Sequence, residues 1–427
     1  YFYKKSMKRG KKKSDIKDKD VKYISDEEKL SAEHPVIAKK IHKSLDLSVK
    51  EGSYASVAQS LGTSYFTPFA LALNATSSQI GILHAFASLF PGLVKLKASK
   101  LIERFSRKRI VMLGVLIQAL SFIPLLLVGL LYYFNLLTQG VVWLVIGFVA
   151  LFYAAGSVTY PAWFSWMGSL VPSDKRGRYF SRRNRIAGFA GVLSMILGAF
   201  ILDYAEAFGY VLFGFGVLFV VAFLARMSCF GLFKKQYEPR IRVKKKDYFS
   251  FFQFLKHSPK SALGRFALFT GFFRIVFGIA TPFWAVYLLK ELGFSYIWFM
   301  AIVVAGALFQ LFWYPVLGKF SDRYGNVMLL KVSVLFFVAV PFLWLISSLM
   351  GFQGILLKIY LFFIPQIVSG FAGAGFMLAT NNYIYDSIKN EQRTFGSAYF
   401  SFIDAIGMFI GASIGSGLAL LNIRFMN

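Results

Sequence analysis

Eleven stretches of about twenty or more residues, nearly free of charge, follow one another along this 427-residue chain. They fall near 53–74, 77–98, 110–134, 139–171, 184–203, 208–233, 262–290, 294–317, 328–350, 354–380 and 395–421. Each is long enough to cross ~30 Å of hydrocarbon, which takes ~20 helical residues. In that solvent every backbone polar group must be bonded within the protein, and no stretch alternates with the period of two that barrel strands need. The expected fold is all-α, a polytopic membrane protein. Composition agrees, with 57% hydrophobic residues and a mean hydropathy of +0.58. A formal charge of +28 would suit a polyanion partner, but a chain this apolar is a poor candidate for nucleic acid, and none is expected. One Cys, Cys229, excludes an internal disulfide framework, and four His without ligand-like spacing give no reason to expect a metal or cofactor. With no nucleophile elbow and no His-Glu-x-x-His pair, an integral membrane enzyme is the weaker reading.

The charge is a topology signal. Six segments on one side of the predicted spans, 1–51, 95–109, 174–185, 234–265, 319–331 and 386–393, carry all but about one unit of the +28. Loops 74–79 and 134–140 on the other side hold no Lys or Arg. The positive-inside rule places the amino terminus and the central loop in the cytoplasm of a cell membrane, where the cations also meet anionic lipid headgroups. The expected organisation is a basic tail over 1–52, a six-helix bundle over 53–233, a basic central loop over 234–261 and a second bundle of five helices over 262–427. Within the tail, Ile37, Ile41 and Leu45 share one helical face against Lys39, Lys40, His42 and Lys43, which predicts a short amphipathic helix on the membrane surface over 36–49.

The two bundles repeat. Thr67-Pro68-Phe69 recurs as Thr281-Pro282-Phe283, Gly156 as Gly370, Glu103-Arg104 as Asp322-Arg323 and Arg176 as Arg393, each about 214–219 residues on. Six spans per half implies twelve, whereas the sequence ends just after the eleventh. The expectation is a chain shortened at its carboxyl end, as a start at Tyr1 without an initiator Met also suggests.

Gly318-Lys319-Phe320-Ser321-Asp322-Arg323-Tyr324-Gly325 resembles the Gly-x-x-x-Asp-Arg-x-Gly loop motif of the major facilitator superfamily, and it lies between spans eight and nine. The first-half copy, Ser99 to Arg109, is degenerate, with Glu103 in place of Asp, Ser in place of both Gly, and the basic ending at Arg107-Lys108-Arg109 kept. The stretch from Pro161-Ala162-Trp163 through Val171-Pro172 and Arg176-Gly177-Arg178-Tyr179-Phe180 to Arg182-Arg183-Asn184 is similar to one in prokaryotic members without an assigned substrate. The resemblance implies two pseudo-symmetric six-helix bundles that rock about a midplane site. It further implies a secondary transporter of a small solute, monomeric and coupled where needed to H+ or Na+. The motif residues Gly318, Asp322, Arg323, Gly325, Glu103, Arg104, Arg107, Arg176 and Arg393 would then form or support a cytoplasmic latch; the plainer alternative is that these cations only obey the positive-inside rule. Two departures weigh against a drug–proton antiporter. Phe152 and Gln366 stand where the family's antiporters place an Arg before the span-four Gly and its counterpart, and Gly188 to Gly198 holds no Pro. A lipid or amphiphile transporter of the same fold, or a non-transporting receptor, stays open as an alternative.

A charge within hydrocarbon costs at least ~2.5–3.5 kcal/mol on insertion scales, so each needs a reason. Arg274 is the deepest cation and Asp404 the deepest acid; either they contact substrate or they pair with each other. A desolvated Asp404 is also the group that a coupling proton would use. Arg226 and Lys358 lie near span ends and are expected to snorkel. His84, Gln59, Gln118 and Gln310 either line a cavity or bond across helices, while Tyr65, Trp284 and Tyr287 are cavity aromatics or packing residues. Gly407, Gly411 and Gly415 share one face of span eleven, which lets a neighbouring backbone approach.

Overall fold

The computed structural model describes residues 35–171, 176–239, 251–387 and 393–421, and all regular structure among them is helical. Helix α1 runs as Pro35–Gly62, a 3-10 turn Thr63–Tyr65 and Phe66–Ala72. Helix α2 is Ser77–Arg104, and α3 is Arg107–Leu120 continued beyond Ser121 by Phe122–Tyr133. Helices α4, α5 and α6 are Val141–Leu170, Arg176–Ala207 and Val211–Lys235. After a short helix Phe251–His257, α7 runs from Ala262–Ala280 through Thr281–Phe283 and Trp284–Val286 to a π-helical turn Tyr287–Glu291. Helices α8 to α11 are Tyr296–Tyr324, Asn326–Leu349, Gly354–Ser387 and Arg393–Leu420. The breaks in α1, α3 and α7 fall at or just before Pro68, Pro124 and Pro282, each of which lacks an N–H for the i−4 carbonyl.

Ten of the described helices are long and apolar enough to cross a membrane, and the protein is an integral membrane protein. Helix α1 falls short of that measure, against the eleven expected. Several of its small residues meet neighbouring helices, Gly52 against Arg183 and Ser56 and Ser60 against Gly191 of α5, and Tyr65, Phe66 and Phe69 are among the most buried large side chains. Residues 36–49 are helical but form no separate surface helix, since they continue unbroken to Gly62. They are held from the side: the Tyr179 hydroxyl donates to the Leu45 carbonyl at 3.2 Å, and the Tyr237 amide donates to Ser44 Oγ at 2.8 Å.

Helix neighbours repeat with the sequence. The pairs α1–α5, α2–α4 and α3–α4 recur as α7–α11, α8–α10 and α9–α10, while α2–α11 and α5–α8 join the halves. Along α7–α11 the approach is backbone to backbone. A Cβ on Gly407, Gly411 or Gly415 would stand 2.2, 2.1 or 2.5 Å from the carbonyl oxygens of Gly271, Ile275 and Ile279. The α2–α11 contact is nearly as close, with Gly81 against Ser416 and Gly92 against Ala405.

The two ends of the bundle differ. At the end remote from the basic segments, one apolar cluster runs through both halves, from Tyr65, Phe69 and Phe215 to Tyr296, Phe299 and Trp344. Ser78 and Ser416 hydroxyls meet there at 2.7 Å. Asp203 of α5 caps the start of α8, its Oδ1 accepting the Tyr296 amide at 2.6 Å and its Oδ2 the Ile297 amide at 3.2 Å. A carboxylate is well placed there, because the first amides of a helix are unsatisfied and carry partial positive charge. Toward the basic end the core divides into a first-half cluster around Trp166, Met167 and Phe233 and a second-half cluster around Phe266, Leu317 and Phe400, against which Leu96 packs from α2.

The close seam makes a testable difference between glycines of one helix. Gly411→Ala should lower the thermal unfolding midpoint of purified protein in detergent, by the ~1–3 kcal/mol typical of overpacking. Gly417→Ala, with open space at its Cβ, should leave the midpoint unchanged or raise it. Equal midpoints for the two variants would contradict the seam.

Candidate functional site

The two deepest charges meet. Arg274 of α7 donates from Nε to both carboxylate oxygens of Asp404 on α11, each at 2.9 Å. The pair is not sealed, for its side chains keep 30% and 25% of their exposure. They lie on the wall of a cavity of about 260 Å³ whose other lining includes Ser88, Pro91 and Lys95 from α2 and Phe400, Ser401 and Met408 from α11. The cavity therefore straddles the two halves. Arg274 is backed by α10, its guanidinium carbon 5.4 Å from the centre of the Phe376 ring.

Lys95 is the residue that sequence reasoning missed. The charge pattern groups it with the basic segment 95–109, but α2 stays helical to Arg104 and the apolar span Ser77–Leu96 includes it. It sits within electrostatic reach of Asp404 without forming an ion pair with it. Its position inside the second apolar run was the available signal. What the run could not show is that α11 lies against that face of α2.

The other polar candidates are placed elsewhere. His84 Nε2 and Thr67 Oγ1 are hydrogen-bonded at 3.1 Å, tying α2 to α1. Gln310 packs beneath Gly370 and donates to the Tyr314 hydroxyl at 3.3 Å. Gln59 is exposed on α1. Gln118 donates to the Phe152 carbonyl at 3.3 Å and accepts from Arg226. Arg226 thus turns into the first bundle instead of snorkelling, because a buried amide offers its guanidinium a partner that lipid cannot. Lys358 does lie at a span end, 5.2 Å from the centre of the Trp298 ring. The Tyr65 hydroxyl donates to the Met195 carbonyl at 2.6 Å, and Trp284 packs on Trp344 with ring centres 4.6 Å apart, so both are packing residues. Sequence reasoning also missed a buried ion pair, Arg183 Nη2 to Glu51 Oε2 at 2.9 Å, which joins α5 to α1 under the Trp163 ring. A larger groove of about 610 Å³ between α5 and α6 is lined by Phe200, Tyr204, Phe208 and Phe213 and contains no charged group.

A sequence profile of the Major Facilitator Superfamily matches residues 53–358. The chain belongs to the major facilitator superfamily. Among curated proteins, Multidrug resistance protein 1 of Bacillus subtilis (strain 168) is 28% identical over 123 residues, 29% of each chain. The match thus spans less than a third of that relative's length. Among solved structures, a nucleoside transporter NupG variant superposes with a TM-score of 0.65 at 12% identity, over 89% of this chain and 93% of that one. A bacterial homologue of the iron transporter ferroportin in an inward-facing state does so at 0.61 and 16%, over 88% and 91%. A D-xylose–proton symporter gives 0.60 and 14%, over 92% and 98%. Identities this low show the superfamily's fold and leave the solute to the chain's own residues.

The superfamily motif residues lie at the basic end. Gly325 is the sole residue between α8 and α9 and has φ +83, a left-handed conformation that favours glycine. Gly318 has open space at its Cβ, so no neighbouring helix approaches it closely in this conformation. Asp322 and Arg323 are exposed, and no ion pair to Asp322 is present among the described residues; Arg323 lies over the Tyr324 ring. Arg107 is buried instead. It donates to the Ser165 carbonyl at 3.0 Å and to the Pro239 carbonyl at 2.7 Å, and pairs with Glu238 at 3.5 Å, fastening the start of α3 to the ends of α4 and α6. Asn326 holds the matching place in the second half, accepting from Ser321 at 2.5 Å and from Asn382 of α10 at 3.0 Å. The side chains of Glu103, Arg104, Arg176 and Arg393 lie outside the described residues.

If Arg274 and Asp404 act as a unit, a double-mutant cycle should find them coupled. Arg274→Gln, Asp404→Asn and the double variant, followed by thermal or denaturant unfolding in detergent, should give a coupling free energy of about 1–3 kcal/mol. Additive effects would show that the contact contributes nothing.

Proposed function

We propose that this superfamily member is a secondary active transporter that moves a small solute across the cell membrane by alternating access. The amino terminus and the 234–261 loop face the cytoplasm, and 53–233 and 262–427 act as rocking units of a monomer. The observation that carries this reading is the position of the charged cavity, on the boundary between the halves beside the α2–α11 contact. With the far end sealed and the basic end divided, the conformation suits a site reached from the cytoplasm. Asp322, with Arg323, Glu103, Arg104, Arg176 and Arg393 as its neighbours in the latch, holds the basic end shut when the far end opens. Asp404 is the group through which H+ or Na+ coupling would act. A lipid or amphiphile carrier is disfavoured by a cavity whose wall bears three charged side chains.

A thiol at Ser401 tests the cycle. The one native thiol, Cys229, is buried, which limits background labelling. In right-side-out and inside-out vesicles, Ser401→Cys should react with an impermeant thiol reagent from either face. Labelling from one face alone would fit a receptor and would remove the transport reading. Adding Asp322→Asn should slow labelling from the far face roughly two- to fivefold, the effect of losing about 0.3–1 kcal/mol from a carboxylate set against the positive end of a helix in the latched state, and leave the cytoplasmic rate intact. If the cations serve only topology, both rates stay as they were.

A further inference from the structure

Three charges line the cavity and only two of them are matched. The Asp404 carboxylate is engaged on both oxygens by one nitrogen of Arg274, the Nε. The terminal Nη groups of Arg274 have no hydrogen-bond partner among the described residues, and the Lys95 ammonium has neither a hydrogen bond nor an ion pair there. Among the described residues of α2, α7 and α11 that form the cavity, Asp404 is the sole acid. Two other acids of the described helices are committed at a distance. Asp203 caps α8, and Glu51 is paired with Arg183 inside the first bundle. Two cations facing one carboxylate leave an excess of one positive charge in a wall whose remaining residues, among them Phe400, Pro91, Met408, Ser88 and Ser401, are uncharged.

A cation so placed is costly without a counter-charge. Packing between α7 and α11 accounts for the Arg274–Asp404 pair but gives no role to Lys95, which reaches the pair from the other half. From this excess charge and the unused donors of Lys95 and Arg274, we infer that the cavity binds a small anionic solute bearing a carboxylate or phosphate group. The anion completes the charge balance by bridging the two cations, and so ties α2 to α7 and α11. The Arg274 donors that remain after Asp404 has taken the Nε side suit an oxyanion, which a guanidinium binds through paired N–H groups. The Ser88 and Ser401 hydroxyls supply neutral contacts, and the cavity volume of about 260 Å³, under the ~300–1,000 Å³ of drug-sized sites, limits the solute to a small one. The inference rests on the transport reading above and names its substrate class.

Charge-selective modification tests it without a known substrate. Ser401→Cys is reacted in phosphatidylcholine vesicles with two methanethiosulfonates of similar size, the anionic 2-sulfonatoethyl and the cationic 2-(trimethylammonium)ethyl reagent. The anion-to-cation rate ratio at Ser401→Cys should exceed that at an exposed control, Thr76→Cys, by about tenfold or more, the order that a charged cleft gives for local ion enrichment. Lys95→Gln should bring the ratio down to the control value, and Lys95→Arg should restore it, which separates charge from misfolding. A ratio equal to the control, or one unmoved by Lys95→Gln, would overturn the inference while labelling from both faces still upheld transport. Protection from the sulfonate by glycerol 3-phosphate or L-lactate, but not by glycerol, is expected for a soluble anion. Protection by added phosphatidylglycerol alone would give the site to a lipid headgroup and overturn the soluble-solute assignment.

Discussion

The glycine seam between α7 and α11 determines where the charges of this protein end up. Gly407, Gly411 and Gly415 leave no side chain between the α11 backbone and the carbonyls of Gly271, Ile275 and Ile279. Lipid is as apolar as the helices, so close packing and polar contacts have to supply the association that water would otherwise drive. Arg274 lies between two of those carbonyls in sequence, and Asp404 one turn before the first glycine, so the seam sets them in register. On its other side α11 is met by α2, again over glycines, and this second approach delivers Lys95. One helix thus carries an acid and receives a cation from each neighbour.

The far end is held by contacts of a different kind. A shared aromatic cluster, two serine hydroxyls and the Asp203 cap on α8 bind the halves there, whereas the cores separate toward the basic end. Hydroxyl and carboxylate contacts of this sort, made near helix ends, are ones that water can replace when the ends part. The glycine seam within the second half has no such substitute and is expected to persist as the halves move. This division between persistent seams within a bundle and replaceable contacts between bundles is what a rocking mechanism requires.

Much of the architecture could be read from residue order. Apolar run length located the helices, and the 214–219 spacing of Thr67, Gly156, Glu103 and Arg176 with their partners announced a repeat that the helix neighbours then reproduced. The spacing of Gly407, Gly411 and Gly415 named a packing face correctly, though not the helix that occupies it. Hydropathy is a poorer guide where protein replaces lipid as the environment. Helix α1 is less apolar than its neighbours because protein, not lipid, surrounds much of it. Residues 36–49 have an amphipathic pattern, and one of their faces meets α5 and the segment after α6. Distance from a span end points Arg226 to the interface, but the amide of Gln118 lies within its reach.

For the candidate site the boundary is sharper. Arg274 and Asp404 stood out in sequence because charge in hydrocarbon is costly and therefore conspicuous. Their pairing was one of two readings, and no linear pattern relates residues 130 positions apart on two helices. Lys95 was visible as a letter and invisible as a partner. By itself the sequence determined that this chain must cross a membrane as helices, in two related halves, with its cations on one side, since each of those properties is a sum over local residues. Which charges face each other, which end is closed and whether a cavity carries net positive charge were decided only by tertiary structure. Those properties depend on distances between helices, and here a missing Cβ at a few glycines sets those distances.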